Sequence, residues 1–167
     1  FARSRKGHGQ RLAPNERSPA GQCNAWRSKR RVARRFWRVP PRLISLVSWL
    51  APFTEIECCD IVTVGRNSGQ PRKTELWFGV IGDTLILVSG TGRSDWRENL
   101  LANASVEVHI EGNVRVGSAR MVTDADERRA YGDVMAAKYD WDGDPSIGLT
   151  RYAWCYEVPV VAIGNWS

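Results

Sequence analysis

Histidine is almost missing from this chain: of 167 residues only His8 and His109 are imidazoles. The four cysteines, Cys23, Cys58, Cys59 and Cys155, show no Cys-x-x-Cys and no Cys/His ligand spacing. That pattern argues against a zinc site, and no metal is expected. Cys58 and Cys59 are neighbours in a strand-like run, so their side chains point to opposite faces. The set does not read as a disulfide framework, and reduced thiols are expected. No Ser-His-Asp or Cys-His set is readable for nucleophilic catalysis. No internal repeat is found, and no apolar run approaches the roughly 20 residues of a membrane-spanning helix. Acid is nearly absent from residues 1–42, where Glu16 stands alone against thirteen Lys or Arg. Residues 43–167 reverse the balance, with eleven Lys or Arg against seventeen acids. The formal net charge of +6 therefore belongs to the leading segment. It is poor evidence that the folded part binds nucleic acid.

The division of charge is also a division of organisation. Residues 1–35 are rich in Arg, Lys, Ser, Gly and Pro and poor in apolar side chains. Such a segment cannot bury enough surface to offset chain entropy, so a disordered basic tail is expected. Its run Arg27-Ser28-Lys29-Arg30-Arg31-Val32-Ala33-Arg34-Arg35 would suit nucleic acid or anionic lipid, but an extension without a role is the more frequent case. Residues 36–167 are long enough for one domain with its own core. In them Leu43, Leu46, Val47 and Leu50 fall on one helical face. With Arg38 and Arg42 upstream, that helix is compatible with peripheral membrane contact. Packing on the domain is the commoner outcome.

The stretch that organises the rest is Thr63-Val64-Gly65-Arg66-Asn67-Ser68-Gly69-Gln70-Pro71-Arg72-Lys73-Thr74. It reads as a strand, a tight polar turn and a second strand. Glycine lets the backbone bend and aim amide N–H groups at one point. Arg66, Arg72 and Lys73 add full positive charge to the same turn. This is a device for holding phosphate or carboxylate. Solvated charges on an ordinary hairpin would look similar.

Two further blocks narrow the choice. Leu85-Ile86-Leu87-Val88-Ser89-Gly90-Thr91-Gly92 follows, then Asp95-Trp96-Arg97-Glu98-Asn99-Leu100-Leu101-Ala102-Asn103. In that order the three blocks resemble the deazaflavin (F420)-dependent nitroreductase family, over about residues 61–161. The resemblance implies a small antiparallel split β-barrel with helices, of the FMN-binding type. It implies an oxidoreductase that transfers hydride from reduced coenzyme F420 to a small electrophile such as a quinone, a nitro compound or an activated alkene. It places the anionic end of the coenzyme on Arg66, Asn67, Ser68, Gly69 and Arg72, with Lys73 beside them. It puts Trp77 and Ser89 near the ring, Gly90 where a family lysine often stands, and Trp96 and Asn99 on the closing helix. Glu75 stands where the family has proline. Proton donation falls to a tyrosine of the C-terminal part, with Tyr139 first and Tyr131 and Tyr152 behind it, or to solvent. Ser89 is the second catalytic candidate.

The remaining chain fits such a barrel. Strands are expected over residues 55–65, 76–81, 84–89, 105–110, 114–122 and 156–163. Gly82-Asp83 and Gly112-Asn113 are read as the hairpin turns. Asp95-x-x-Glu98 imitates a capping box, and Thr123 is read as the cap of a helix carrying Tyr131 and Met135. Asp140-x-Asp142-x-Asp144 imitates the start of a calcium loop. Pro145 and Arg151 at its sixth and twelfth positions spoil it. His109 alternates with Glu107 and Glu111 on what reads as a solvated face.

Two alternatives stand beside the reductase. The same barrel could carry FMN, haem or a fatty acid, since Arg66 and Arg72 would serve an FMN phosphate almost as well. A non-catalytic protein that binds anions or nucleic acid through its basic arm is the rival of another class. A cytoplasmic enzyme, monomeric or homodimeric, is expected, with peripheral membrane contact through the leading helix as an open alternative; no nucleic-acid partner is.

Overall fold

The structure, a computed structural model, describes residues 48–90 and 92–167. The basic tail and the Leu43, Leu46 and Val47 part of the expected apolar helix lie outside the described residues. From Ser48 the chain makes a turn and a short 3-10 segment, Ala51–Phe53, which drives Leu50 completely into the core. Six antiparallel strands then close a barrel: β1 (Cys58–Val64), β2 (Pro71–Ile81), β3 (Thr84–Val88), β4 (Ser105–Ile110), β5 (Asn113–Met121) and, at the far end of the chain, a strand at Val160–Gly164. Helix α1 (Asp95–Ala102) connects β3 to β4, and α2 (Ala125–Lys138) follows β5. A two-residue pair, β6 (Gly143–Asp144) and β7 (Leu149–Thr150), leads into α3 (Arg151–Tyr156) and then the last strand, β8 (Val160–Gly164). Around the barrel the order is β1-β2-β3-β8-β5-β4, with β4 pairing back on β1. Closure leaves no free sheet edge in the barrel.

Period-two alternation fixes which side chains fill the barrel. Cys59, Ile61 and Thr63 of β1 point inward, as do Leu76 and Phe78 of β2 and Val106 and Val108 of β4. A second core lies outside the barrel, where Met135, Tyr131 and Trp154 cover β3 and β8. So β3 is apolar on both faces: Leu85 and Leu87 face in, Ile86 and Val88 face the helices. By contrast β5 exposes Val114 and Val116.

Turn chemistry explains the hairpins. Gly82 (φ +58°) begins the two-residue β2–β3 turn, and a glycine at that first position suits the type II′ turn that matches strand twist. The β4–β5 turn is Glu111-Gly112, because Ile110 pairs with Asn113; both turn residues have positive φ, 48° and 78°. The expected Gly112-Asn113 turn is therefore one residue out of place. Other boundaries differ from expectation too: β1 starts at Cys58 rather than at residue 55, and β5 spans Asn113–Met121 rather than 114–122. β2 begins at Pro71 directly after the turn, and Asp124 rather than Thr123 caps α2, its carboxylate accepting from Glu127 N–H. Residues 151–156 are helix, so the last strand starts at Val160. Cys59 and Cys155 are buried free thiols. Cys58 is disulfide-bonded, against the expectation of reduced thiols. Among the described residues no helix is long and apolar enough to cross a membrane.

Candidate functional site

The bend between β1 and β2 is built on hydrogen bonds within the turn. Gly65 N–H donates to Gln70 O (2.8 Å), and Gly69 N–H donates back to Gly65 O (2.7 Å). A Cβ at position 65 would lie 2.6 Å from Ser68 Oγ and 3.1 Å from Gln70 O, so a side chain there would push the Ser68 hydroxyl aside and crowd the turn. The Ser68 hydroxyl accepts from Gln70 N–H (3.3 Å) and from Arg72 Nη2 (3.5 Å).

Helix α1 meets this turn from the other side. Its buried residues, Trp96, Asn99 and Leu100, seal the end of the barrel. Asn99 is the junction. Its Oδ1 accepts from the main-chain N–H of Arg66 (3.0 Å) and from Arg66 Nη1 (3.1 Å), and its Nδ2 donates to Thr63 Oγ1 (3.1 Å). Both Thr63 and Asn99 are buried, so this polar pair is satisfied inside the core. The other terminal nitrogen of Arg66, Nη2, lies 2.8 Å from Asp95 Oδ1. Lys73 extends along the outer face of β2 to Asp60 on β1 (2.9 Å).

Turn and helix together enclose a cleft of about 380 Å³. Arg66, Asn67, Ser68, Arg72, Lys73 and Thr74 line it from the hairpin, and Asp95, Trp96 and Asn99 from α1. Three cations face one carboxylate there, which is the donor chemistry of an anion site. A cleft of this size lies near the lower end of small-molecule pockets, so it suits one charged end of a large coenzyme rather than the whole. The residues present therefore fit the acidic end of a deazaflavin coenzyme.

Of the residues singled out from sequence, Arg66, Asn67, Ser68, Arg72, Lys73, Trp96 and Asn99 come together at this cleft. Gly69 shapes the turn beneath them. Ser89 and Gly90 directly follow β3, outside the lining residues. Ser89 is fully buried; its hydroxyl is 2.9 Å from Ser94 Oγ and accepts from Arg97 Nη1 (3.2 Å). Ser94 occupies the N-cap position of α1 but turns its hydroxyl to Ser89 rather than to the helix. With Ser94 at the N-cap and Asp95 already the first helical residue, the expected Asp95-x-x-Glu98 capping box is not formed.

Tyr139 and Trp77 lie outside the lining of this cleft. They stack on each other (4.9 Å, 17°) in the outer core, edge-on to Trp154. The Tyr139 hydroxyl lies 2.6 Å from Glu57 O and 2.9 Å from Phe78 O and accepts from Phe78 N–H (3.0 Å). Burial pushes its pKa well above the ordinary tyrosine value. A phenol with its hydrogen held by main-chain carbonyls pins those segments together. Tyr131 donates to Glu127 Oε1 (2.6 Å), and Tyr152 is largely exposed against Tyr156. Neither lines the cleft.

Sequence reasoning passed over Thr63, Asp95 and Arg97 as site residues. Asp95 was read only as part of a helix start. The contacts of Thr63 and Arg97 carry no local signature, although the inward parity of Thr63 in an apolar strand marks a polar group that must find a partner.

A family model described as F420H(2)-dependent quinone reductase matches residues 51–144. Among solved structures, the chain is similar to an F420-H2 dependent reductase, FDR-A, at 20% identity over 65% of this chain and 94% of that one, with a TM-score of 0.52. A protein described as a domain-swapped dimer gives 20% identity, 65% and 81% coverage, and a TM-score of 0.52. A conserved hypothetical protein from Mycobacterium tuberculosis gives 18% identity, 68% and 76% coverage, and a TM-score of 0.50. At these identities the structural likeness bears on the fold alone.

Proposed function

The chain belongs to the F420H(2)-dependent quinone reductase family, and from that membership, which makes it an oxidoreductase using coenzyme F420 on a small molecule, we propose that its substrate is a quinone and that the cleft between the β1–β2 turn and α1 holds the coenzyme's anionic end. The observation that carries the residue assignment is the convergence of Arg66, Arg72 and Lys73 on one cleft with Asn67 and Ser68 beside them.

When bound, a reduced deazaflavin supplies a hydride, because carbon replaces the flavin nitrogen that supports radical chemistry. The chain's own residues bind and orient. Arg66 is fixed in place by Asn99 and presents its guanidinium to the cleft. Arg72 and Lys73 add charge from the neighbouring strand. Trp96 closes the barrel end and keeps water from the core side. The proton that completes quinone reduction comes from solvent in this reading, since the Tyr139 and Tyr131 hydroxyls are already taken up by main-chain carbonyls and by Glu127, and Tyr152 stands exposed. The domain is taken as residues 36–167, with residues 1–35 dispensable for turnover.

The test is direct. Purified protein is mixed with reduced coenzyme and a soluble quinone, and return of the oxidised coenzyme's absorbance is followed. Arg66→Ala and Arg72→Ala are each expected to weaken coenzyme binding by about 1.5–3 kcal/mol, the scale of a charge-assisted hydrogen bond, in a fluorescence titration. Wild-type affinity in both variants defeats the assignment of this cleft. No coenzyme oxidation with any quinone defeats the choice of substrate.

A further inference from the structure

Arg66 is gripped in two unlike ways. From beneath, Asn99 holds it by a neutral amide that is itself buried and tied to Thr63. From the solvent side, Asp95 holds it by a carboxylate: Oδ1 to Nη2 at 2.8 Å, with the Asp95 main-chain oxygen 3.4 Å from Nη1. The Asp95 side chain is 75% exposed and that of Arg66 22%. Both line the same cleft. The amide grip fixes where the guanidinium sits. The carboxylate grip occupies one of the positions at which the guanidinium would receive a ligand oxygen.

We propose that Asp95 is a built-in competitor for Arg66, a specificity residue that an anionic ligand must displace to enter the cleft. The ligand named here rests on the coenzyme reading above. The exchange is of one oxygen for another on Nη2, with no covalent change. Asp95 leaves at little cost because its carboxylate is already largely hydrated, whereas Asn99 stays. The consequence is a filter on charge. A singly charged anion that merely replaces Asp95 gains almost nothing. An anion with several charges replaces Asp95 and also reaches Arg72 and Lys73 in the same lining. The site is thereby selective for polyanionic ligands and shielded from simple carboxylates.

The experiment titrates wild type, Asp95→Asn, Asp95→Ser and Asp95→Glu with oxidised coenzyme F420 by fluorescence, and with inorganic pyrophosphate by calorimetry. The asparagine and serine variants are expected to bind both anions about twofold to fivefold tighter, the factor corresponding to an exposed ion pair. The glutamate variant retains the charge and stays near wild type. The difference shrinks as salt is raised, since the competition is electrostatic. Two neutral replacements guard against one that disturbs the start of α1, and a circular dichroism melt verifies each fold. Neutral variants that bind pyrophosphate no tighter than wild type overturn the proposal. Tighter pyrophosphate binding with no coenzyme binding in any variant supports Asp95 as competitor and overturns the coenzyme reading instead. Failure of every variant to bind either anion overturns both.

Discussion

Replacing Asn99 by alanine tests the architecture of the cleft more sharply than removing a cation does. The side chain makes three hydrogen bonds across 33 to 36 positions of sequence, to Arg66 N–H, Arg66 Nη1 and Thr63 Oγ1. Its removal strips the Arg66 amide of its acceptor, a loss of about 1–3 kcal/mol where water cannot substitute. The guanidinium bond adds about 1 kcal/mol, because Arg66 is partly solvated and keeps Asp95. The Thr63 hydroxyl keeps the Arg72 carbonyl at 3.5 Å and suffers less. The sum is a destabilisation of roughly 2–4 kcal/mol, read from urea midpoints at constant slope. A double-mutant cycle with Arg66→Ala isolates the guanidinium part, since that variant retains the main-chain N–H; a coupling of about 1 kcal/mol is expected. Asn99→Asp keeps the acceptor for Arg66 and should cost less than alanine. Coenzyme affinity should fall in Asn99→Ala nearly as far as in Arg66→Ala. An alanine variant as stable as wild type, or zero coupling in the cycle, refutes the view that Asn99 fixes the arginine.

Tyr139→Phe is expected to lower stability by about 1–3 kcal/mol in chemical denaturation, because main-chain groups lose the buried hydroxyl, while turnover per folded molecule is unchanged. A selective loss of turnover would restore Tyr139 to the chemistry. Gly132→Ala should destabilise despite alanine's better helix propensity, since its Cβ would lie 2.6 Å from Cys155 O and 2.5 Å from the Tyr156 ring; about 1–3 kcal/mol of overpacking is the expected cost, measured by thermal melt. Lys138 predicts a pH effect. Burial lowers its pKa from 10.5 to about 8, so between those values the unfolded chain holds the proton that the folded chain has released, and the Lys138 contribution to stability rises with pH. Buried Cys59, its pKa raised from 9.0, works the other way from pH 9 upward, as Tyr139 does from its ordinary value of 10.0. Stability should therefore gain between pH 8 and 9 and turn over above, and Lys138→Met should abolish the gain; an identical profile in that variant rules the effect out.

The cleft was legible because its cations, Arg66, Arg72 and Lys73, crowd into one short turn beside Gly65 and Gly69, and a turn advertises itself locally. Trp96 and Asn99 were legible only through the resemblance carried by the block of residues 95–103, since a helix start marks their element but not their place at the cleft. What sequence could not give is the path of an individual polar atom. The Tyr139 hydroxyl ends on carbonyls 61 and 82 residues away, and nothing near Tyr139 distinguishes that fate from a place in a pocket. The early start of β2 was hidden because Arg72, Lys73 and Glu75 look like turn residues until the pairing with Thr63, Val62 and Asp60 gives them a strand to lie on. Helix α3 has six residues, too few for a periodic pattern to emerge.

The helices cover the barrel on one side only, and this has a bearing on how the sequence can drift. Along β3 every inner and outer position past Thr84 is enclosed, so neither parity is free to change without disturbing one core or the other. Along β5 only Gly117 and Ala119 are enclosed, and their neighbours meet solvent. A saturation library scored for folded protein should show β3 as a solid block of intolerance and β5 as a comb, with the comb's open teeth on the face where new surface chemistry could be written without touching the cleft.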